Sequence, residues 1–174
     1  MPGSVLLYLV RHAIAEERGE AWPDDRLRPL TEQGRERMER EVQGLLALDV
    51  VVDAILTSPL VRTRQTADIL SQGLPGHPAV TDWPPLEPGG RPKETLANLK
   101  AFSSHTRLAL VGHEPGIGEL AASLIGTRQP FMFKKGAVAL IEVSLLPPAA
   151  GSGELRWFAT PRMLRRLAKP SNED

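Results

Sequence analysis

Cysteine is absent from this chain of 174 residues, which excludes disulfides, thiolate catalysis and thiolate metal sites. Net charge is absent as well, because 21 basic and 21 acidic side chains balance. No overall electric field therefore attracts nucleic acid or an anionic membrane surface, although a zero sum still permits local clusters of cations. Long apolar runs are also missing: "SVLLYLV" is too short to span a membrane and stops at Arg11.

The N-terminus lacks a basic region and a small-residue cleavage site, so we expect no signal peptide and predict a cytoplasmic protein. The length suits one domain with a substantial core. No internal repeat and no long linker divides the chain. We therefore predict a single domain over residues 1–174.

Predicted strands and helices alternate along most of the chain. The continuously apolar segment 5–10 is typical of a strand covered on both faces. Further strands are predicted in "VDAILTS" and "RLALVG", and a helix capped by Thr31 precedes the first of these. The segment 75–92 holds six prolines and three glycines, so it is predicted to be irregular, with one short strand at "AVTDW".

The C-terminal third has a different pattern. After a helix in "GIGELAASLIG", the segments "GAVALIEVSLL" and "GELRWFAT" indicate an antiparallel pair or two edge strands. A short last helix is predicted in "PRMLRRLAKP" and a frayed end in "SNED". The whole order predicts an α/β layered protein with a mostly parallel sheet.

Three polar motifs follow predicted strands. "LVRHA" places Arg11 and His12 after the first strand. "LTSPLVRTRQTA" places Ser58 and Arg62 after the second, and "LALVGHEPGIG" places His113 after the third. Ligands of open α/β sheets bind outside the carboxyl ends of the strands. We therefore predict one cleft that gathers two histidines and at least two arginines.

These residue types suit a phosphoryl group better than a metal. Arginine offers a planar fork of donors to phosphate oxygens and keeps its charge, and histidine can carry protons or act as a nucleophile near neutral pH. No cysteine or cluster of aspartates accompanies them. Helices that begin after Pro59 and Pro115 would add backbone N–H donors. We expect neither a metal nor another cofactor.

The segments "LVRHAIAE", "SPLVRTRQTA" and "VGHEPGI" resemble the histidine phosphatase superfamily, also called the phosphoglycerate mutase-like fold. With "RPLTEQGRER" and "FATPRMLRRL", the short chain is similar to the SixA-type phosphohistidine phosphatase branch. The resemblance covers nearly the whole chain. It implies a three-layer α/β/α domain without a large cap insertion.

The resemblance also implies residue roles. His12 would be the nucleophile that takes a phosphoryl group as a transient phosphohistidine, and Arg11, Arg62 and His113 would complete the phosphate pocket. His12 must then be neutral at the attacking nitrogen, so its other nitrogen should donate to a fixed acceptor such as a backbone carbonyl. In-line transfer depends mainly on such positioning and on electrostatics.

A general acid is less clearly indicated. Other branches of the superfamily use a carboxylic acid to protonate the leaving group, and Glu87 in "PPLEPGG" is the candidate here. Glu114 is another, although it would also suit a helix cap. The nitrogen leaving group of a phosphohistidine can be protonated in advance, so a strong acid is dispensable.

Other cations have two interpretations each. Arg28 either borders the cleft or fixes its own loop, and Lys134 and Lys135 favour either an anionic partner or a solvated turn. Arg64 lies two positions after Arg62, so it points elsewhere on the helix and is predicted to be structural.

The leading hypothesis is a metal-independent phosphatase that acts on phosphohistidine in a protein. One alternative is a phosphatase of a small phosphate ester or another phosphorylated metabolite. A second is a catalytically silent phosphate-binding or adaptor domain, against which the intact nucleophile set argues. A mutase is disfavoured, because little sequence remains to close a pocket around a substrate with two phosphates. No nucleic acid or membrane partner is expected.

Overall fold

A computed structural model describes residues 3–168, with the following elements. The strands are β1 (Val5–Arg11), β2 (Ala54–Thr57), β3 (Ala79–Asp82), β4 (Arg107–Gly112), β5 (Val138–Val143) and β6 (Glu154–Ala159). The helices are α1 (Glu32–Ala47), α2 (Val61–Gly73), α3 (Pro92–Asn98), α4 (Gly116–Ile125) and α5 (Pro161–Leu167). Short 3₁₀ helices lie at Asp25–Leu27, Pro84–Leu86 and Leu99–Phe102. The end of the predicted last helix and "SNED" lie outside the described residues.

The six strands form one sheet in the order β3-β2-β4-β1-β5-β6. The first four strands in this order pair in parallel, whereas β5 pairs antiparallel with both β1 and β6. The prediction of a mostly parallel sheet is therefore confirmed, and so is the antiparallel pair near the C-terminus. β5 is an interior strand, and only β6 of that pair lies at an edge.

Helices cover both faces of the sheet. Leu7 and Leu9 of β1 belong to a core that includes the apolar residues of α3 and α4. Tyr8 and Val10 belong to a second core, shared with α1, α2 and α5. Successive strand residues point to opposite faces, so burial on both sides explains the uninterrupted apolar run of β1. The result is the expected three-layer α/β/α arrangement without a large insertion. Within residues 3–168, none of the helices combines the length and hydropathy needed to cross a membrane.

The start of α1 packs directly against the loop that follows β1. The hydroxyl of Thr31 accepts a hydrogen bond from the backbone N–H of Gly34 at 2.9 Å, which confirms the predicted cap. The Thr31 N–H donates to the carbonyl of Ile14 at 3.1 Å. A Cβ atom on Gly34 would lie 2.0 Å from that carbonyl oxygen, so only glycine permits this approach.

We expect Gly34→Ala to lower the free energy of unfolding by about 2 kcal/mol, because the added methyl group must displace the backbone of Ile14. Gly116→Ala is the matched control in a helical first turn, since a Cβ there meets nothing within 4 Å. Urea unfolding of both variants measures the difference. Equal stability of the two variants would contradict the close packing of α1 on the loop.

Candidate active site

The register of two parallel strands brings the two predicted site histidines together. Arg11 of β1 pairs with Gly112 of β4, so His12 and His113 leave the sheet side by side. Their ring centroids are 5.3 Å apart, and each residue is 5% exposed. Ser58 follows β2 on the other side of β4, and its N–H donates to the Val111 carbonyl. The strand ends therefore meet as the sequence predicts.

The ring of His12 is fixed by its own backbone neighbour. Its Nδ1 lies 2.7 Å from the carbonyl oxygen of Ala13. A carbonyl only accepts, so Nδ1 carries the proton of this hydrogen bond and Nε2 of the neutral ring keeps its lone pair. Thr66 ties this peptide to α2, because its hydroxyl accepts from the Ala13 N–H and donates to the Arg62 carbonyl. The expected backbone acceptor for His12 is confirmed.

Burial keeps both histidines neutral. The pKa of His12 is lowered to about 3, mainly by burial; the positive charges of Arg62 and Arg11 also lower it, and the hydrogen bond to Ala13 opposes the shift. The pKa of His113 is also lowered to about 3, by burial first and then by His12 and Arg62. Both imidazoles are therefore uncharged at neutral pH while no anion lies beside them.

His113 is held by the serine that follows β2. Its Nε2 lies 2.8 Å from the hydroxyl oxygen of Ser58. Its Nδ1 is buried and has no hydrogen-bond partner among residues 3–168. Such a buried polar atom is costly unless something else satisfies it. The position of Ser58 after a strand predicts that it lies near the cleft, but no sequence pattern indicates its contact with His113.

Arg62 is 2% exposed and is bonded to a residue that sequence reasoning missed. Its Nη2 donates to Oδ2 of Asp25 at 3.0 Å, and its Nη1 donates to the Asp25 carbonyl at 2.8 Å. The other carboxylate oxygen of Asp25 accepts from Nε of Arg28 at 2.9 Å. Burial opposes ionisation of Asp25, but Arg28 and Arg62 outweigh it and lower its pKa. One carboxylate thus positions two guanidinium groups.

Arg28 both borders the cleft and fixes its own loop, so both interpretations of this residue apply. It lines the cavity beside the histidines, and it also fixes its loop, because its Nη1 donates to the carbonyl of Glu16 at 2.7 Å. The spacing of three residues between Asp25 and Arg28, across a 3₁₀ turn, is a sequence signal that could have indicated their pairing.

A loop before β5 holds Arg11. Nη1 of Arg11 donates to the carbonyl of Phe133 at 2.6 Å. The N–H of Gly136 donates to the carbonyls of Arg11 and His12, both at 3.2 Å, from a backbone with φ of +88° that favours glycine. Lys135 of the same loop lines the cavity, and burial together with the charge of Arg11 lowers its pKa.

The four predicted pocket residues surround one cavity of about 360 Å³, which we call the strand-end cavity. Its ionisable lining residues are Arg11, His12, Glu16, Glu17, Arg18, Arg28, Arg62, His113, Glu114 and Lys135. Cations predominate, so the cavity suits a compact anion. Of the two helix starts expected to add backbone N–H donors, that of α2 lines the cavity through Arg62, whereas the first residues of α4 do not line it.

The two acid candidates occupy different environments. Glu87 does not line the strand-end cavity, and its Oε2 lies 2.7 Å from Nη1 of Arg26. Glu114 does line the cavity, accepts from the Phe133 N–H at 3.0 Å, and has a pKa raised by burial. Arg64 bonds to acidic residues outside the cavity, as its helical position predicts.

In chemical terms the arrangement combines a neutral imidazole with three buried or half-buried guanidinium groups. Such a set can hold a tetrahedral dianion and present a nitrogen lone pair to it. Within residues 3–168, histidines and carboxylates form no group of three or more that could hold a metal ion.

Comparison with known proteins agrees with this geometry. The model of the histidine phosphatase superfamily (branch 1) matches residues 7–88. An uncharacterized protein of Picosynechococcus sp. (strain ATCC 27264 / PCC 7002 / PR-6) is 40% identical over 121 residues, which cover 68% of this chain and 72% of that protein. Phosphohistidine phosphatase SixA of Escherichia coli (strain K12) is 27% identical over 143 residues, covering 81% and 86%. The solved structure of the protein histidine phosphatase SixA complexed with tungstate has a TM-score of 0.80 at 25% identity, covering 92% of this chain and 99% of that one.

We expect the rings of His12 and His113 to titrate near pH 3 rather than near 6.5, as measured by NMR of the imidazole groups. Both pKa values are lowered in the folded chain, so between about pH 3 and pH 6.5 the unfolded chain binds more protons than the folded chain. The free energy of unfolding should therefore fall as the pH drops from about 6.5 towards 3. Added inorganic phosphate should raise the pKa of His113. Titration of both rings near 6.5 would contradict their burial.

We expect Asp25→Asn to weaken the binding of inorganic phosphate about tenfold, because Arg28 and Arg62 lose their charged hydrogen-bond partner. Asp68→Asn, which removes a carboxylate from Arg64 on the same helix as Arg62, is the matched control. Calorimetric titration measures both affinities. If Asp25 acted only through its charge, its removal would tighten phosphate binding, so a gain in affinity would contradict the positioning role.

Proposed function

The chain belongs to the histidine phosphatase superfamily, and on this basis we propose that it hydrolyses phosphohistidine in a protein, with His12 as the nucleophile and without a metal. The observation that carries the proposal is the hydrogen bond between Nδ1 of His12 and the Ala13 carbonyl. That bond leaves an unprotonated Nε2 on a buried, fixed ring beside two arginines. A neutral, positioned imidazole is what nucleophilic attack on phosphorus requires.

The reaction has two steps. Nε2 of His12 attacks the phosphorus atom and the P–N bond of the substrate breaks. The substrate imidazole, already protonated on its other ring nitrogen, leaves as a neutral ring whose freed nitrogen keeps the electron pair of that bond. Water then attacks the phosphoryl group on His12, and inorganic phosphate and the free ring are regenerated. Each step is an in-line displacement that positioning and electrostatics promote.

The arginines stabilise the charge of the transferring group. Arg11 and Arg62 donate to its equatorial oxygens, and each is held from behind, by the Phe133 carbonyl and by Asp25 respectively. Losing one such preorganised donor costs on the order of 3 kcal/mol in the barrier. His113, positioned by Ser58, adds a further donor to the phosphoryl oxygens once the anion favours its protonation.

A general acid contributes little for this substrate, because the phosphohistidine ring can be protonated before attack on the nitrogen that does not carry phosphorus. Glu87 is ion-paired with Arg26 outside the strand-end cavity, which argues against it as the acid. Glu114 lines that cavity and burial raises its pKa, so it is the carboxyl group better suited to protonate a leaving group.

The choice of phosphohistidine over a small ester rests on similarity. Two curated relatives are phosphohistidine phosphatase SixA and a homolog of it, at 27% and 28% identity. The SixA structure complexed with tungstate supports an oxyanion site in this fold, since tungstate is a tetrahedral oxyanion. The open strand-end cavity, without a cap insertion, is consistent with a substrate as large as a protein.

The test is turnover of a phosphohistidine-bearing protein beside a panel of small phosphate esters, in buffer containing a chelator. We expect His12→Ala to lose at least about a thousandfold in kcat, because the covalent route is removed. His77→Asn is the control, since His77 is exposed, lies outside the cavity and has a positive φ that asparagine tolerates.

The outcomes separate the alternatives. Turnover that survives in His12→Ala would overturn the nucleophile assignment. A higher kcat/KM for esters than for phosphohistidine would assign the protein to small phosphorylated metabolites instead. Binding of phosphate without turnover of any substrate would indicate the silent adaptor domain.

A further inference from the structure

A second cavity of about 440 Å³ lies beside the strand-end cavity, and Arg11 and Lys135 line both. We call it the basic cavity, because six of its lining side chains are cations and none is acidic. They are Arg11, Arg37, Lys134, Lys135, Arg162 and Arg165. The chain as a whole has no net charge, so this concentration is a local feature.

Most of these cations form no ion pair with an acidic residue in the described part of the chain. Arg165 forms an ion pair with Glu41, which is 2% exposed. This ion pair joins α5 to α1. Within residues 3–168, Arg37, Lys134 and Arg162 form no ion pair, and they come from three different elements. Like charges that converge with few counter-charges raise the electrostatic energy of the folded chain unless an anion binds between them.

Two exposed apolar side chains are sequence neighbours of residues that line the basic cavity, although neither of them lines it. Met132, two residues before Lys134, is 80% exposed, and Met163, next to Arg162, is 50% exposed. Arginine and methionine are both enriched at protein interfaces, where methionine adapts to irregular partners. Six cations contributed by α1, α5, the end of β1 and the loop before β5 exceed what one small anion can contact, so the surface favours an extended acidic segment of a protein.

We infer that the basic cavity binds an acidic segment of the phosphorylated protein while its phosphohistidine enters the strand-end cavity. The shared residues Arg11 and Lys135 make the two sites continuous, so one substrate can occupy both. The identity of this partner as the substrate rests on the proposed function, whereas the binding of an acidic segment does not.

The first experiment is therefore independent of catalysis. It measures, by fluorescence anisotropy, the binding of an unphosphorylated peptide with glutamates and leucines, and of the same peptide with glutamines in place of glutamates. We expect the acidic peptide to bind more tightly at low salt and to lose this advantage as salt rises, because the cations are exposed.

Substitutions locate the binding. Arg37→Gln with Arg162→Gln should weaken binding of the acidic peptide about fivefold, as expected for two exposed charge contacts. Arg40→Gln with Arg166→Gln is the matched control: it makes the same change on the same two helices, at exposed positions that do not line the basic cavity. Equal binding by wild type and both double variants would overturn the inference.

The second experiment tests the link to the substrate. Two phosphohistidine peptides, one flanked by glutamates and one by glutamines, are compared by kcat/KM. The wild type should prefer the acidic peptide about fivefold, and Arg37→Gln with Arg162→Gln should remove this preference. Tighter binding of anionic lipid vesicles than of the acidic peptide, with the same dependence on Arg37 and Arg162, would overturn the assignment to a protein segment. Acidic-peptide binding without any turnover would instead refute the proposed function and leave the binding site standing.

Discussion

The parallel pairing of β1 with β4 is the constraint on which the candidate site depends. It sets Arg11 opposite Gly112, and the residues that follow are the two histidines. A slip of one residue by either strand would turn its own histidine towards the opposite face of the sheet and separate the pair. The register is itself enforced by burial, since the side chains of β1 are packed into cores on both faces. Hydrophobic packing far from the chemistry thus determines the distance between His12 and His113.

The second requirement is compensation for burying cations. Arg62 is almost fully buried, and an unpaired charge in that environment would be costly. Asp25 supplies the counter-charge for Arg62 and Arg28, while the Phe133 carbonyl serves Arg11. The histidines are kept neutral instead, which costs less than charging them beside the arginines. The arginines of the site therefore present fixed positive charge to an anion, while the nucleophile is uncharged.

Much of the fold and the centre of the site could be predicted from the sequence, because their signals are local. The apolar run before Arg11 indicates a strand buried on both faces, and Thr31 as a helix cap indicates the start of α1. Shorter segments are harder to predict: the helical conformation of α3 ends at Asn98 and the chain continues as a 3₁₀ helix. Propensity does not distinguish these two tight helical forms over so few residues.

The sequence by itself determined which residues end the strands and therefore which side chains meet at the edge of the sheet. Only the tertiary structure decided which groups hydrogen-bond to these side chains and position them. Asp25 reaches Arg62 across 37 residues and Phe133 reaches Arg11 across 122. Both partners come from segments that have no periodic pattern. A loop's path depends on the elements it crosses, so its contacts are not encoded in any local spacing. For the same reason only the fold shows that Lys135 joins the strand-end cavity to the basic cavity.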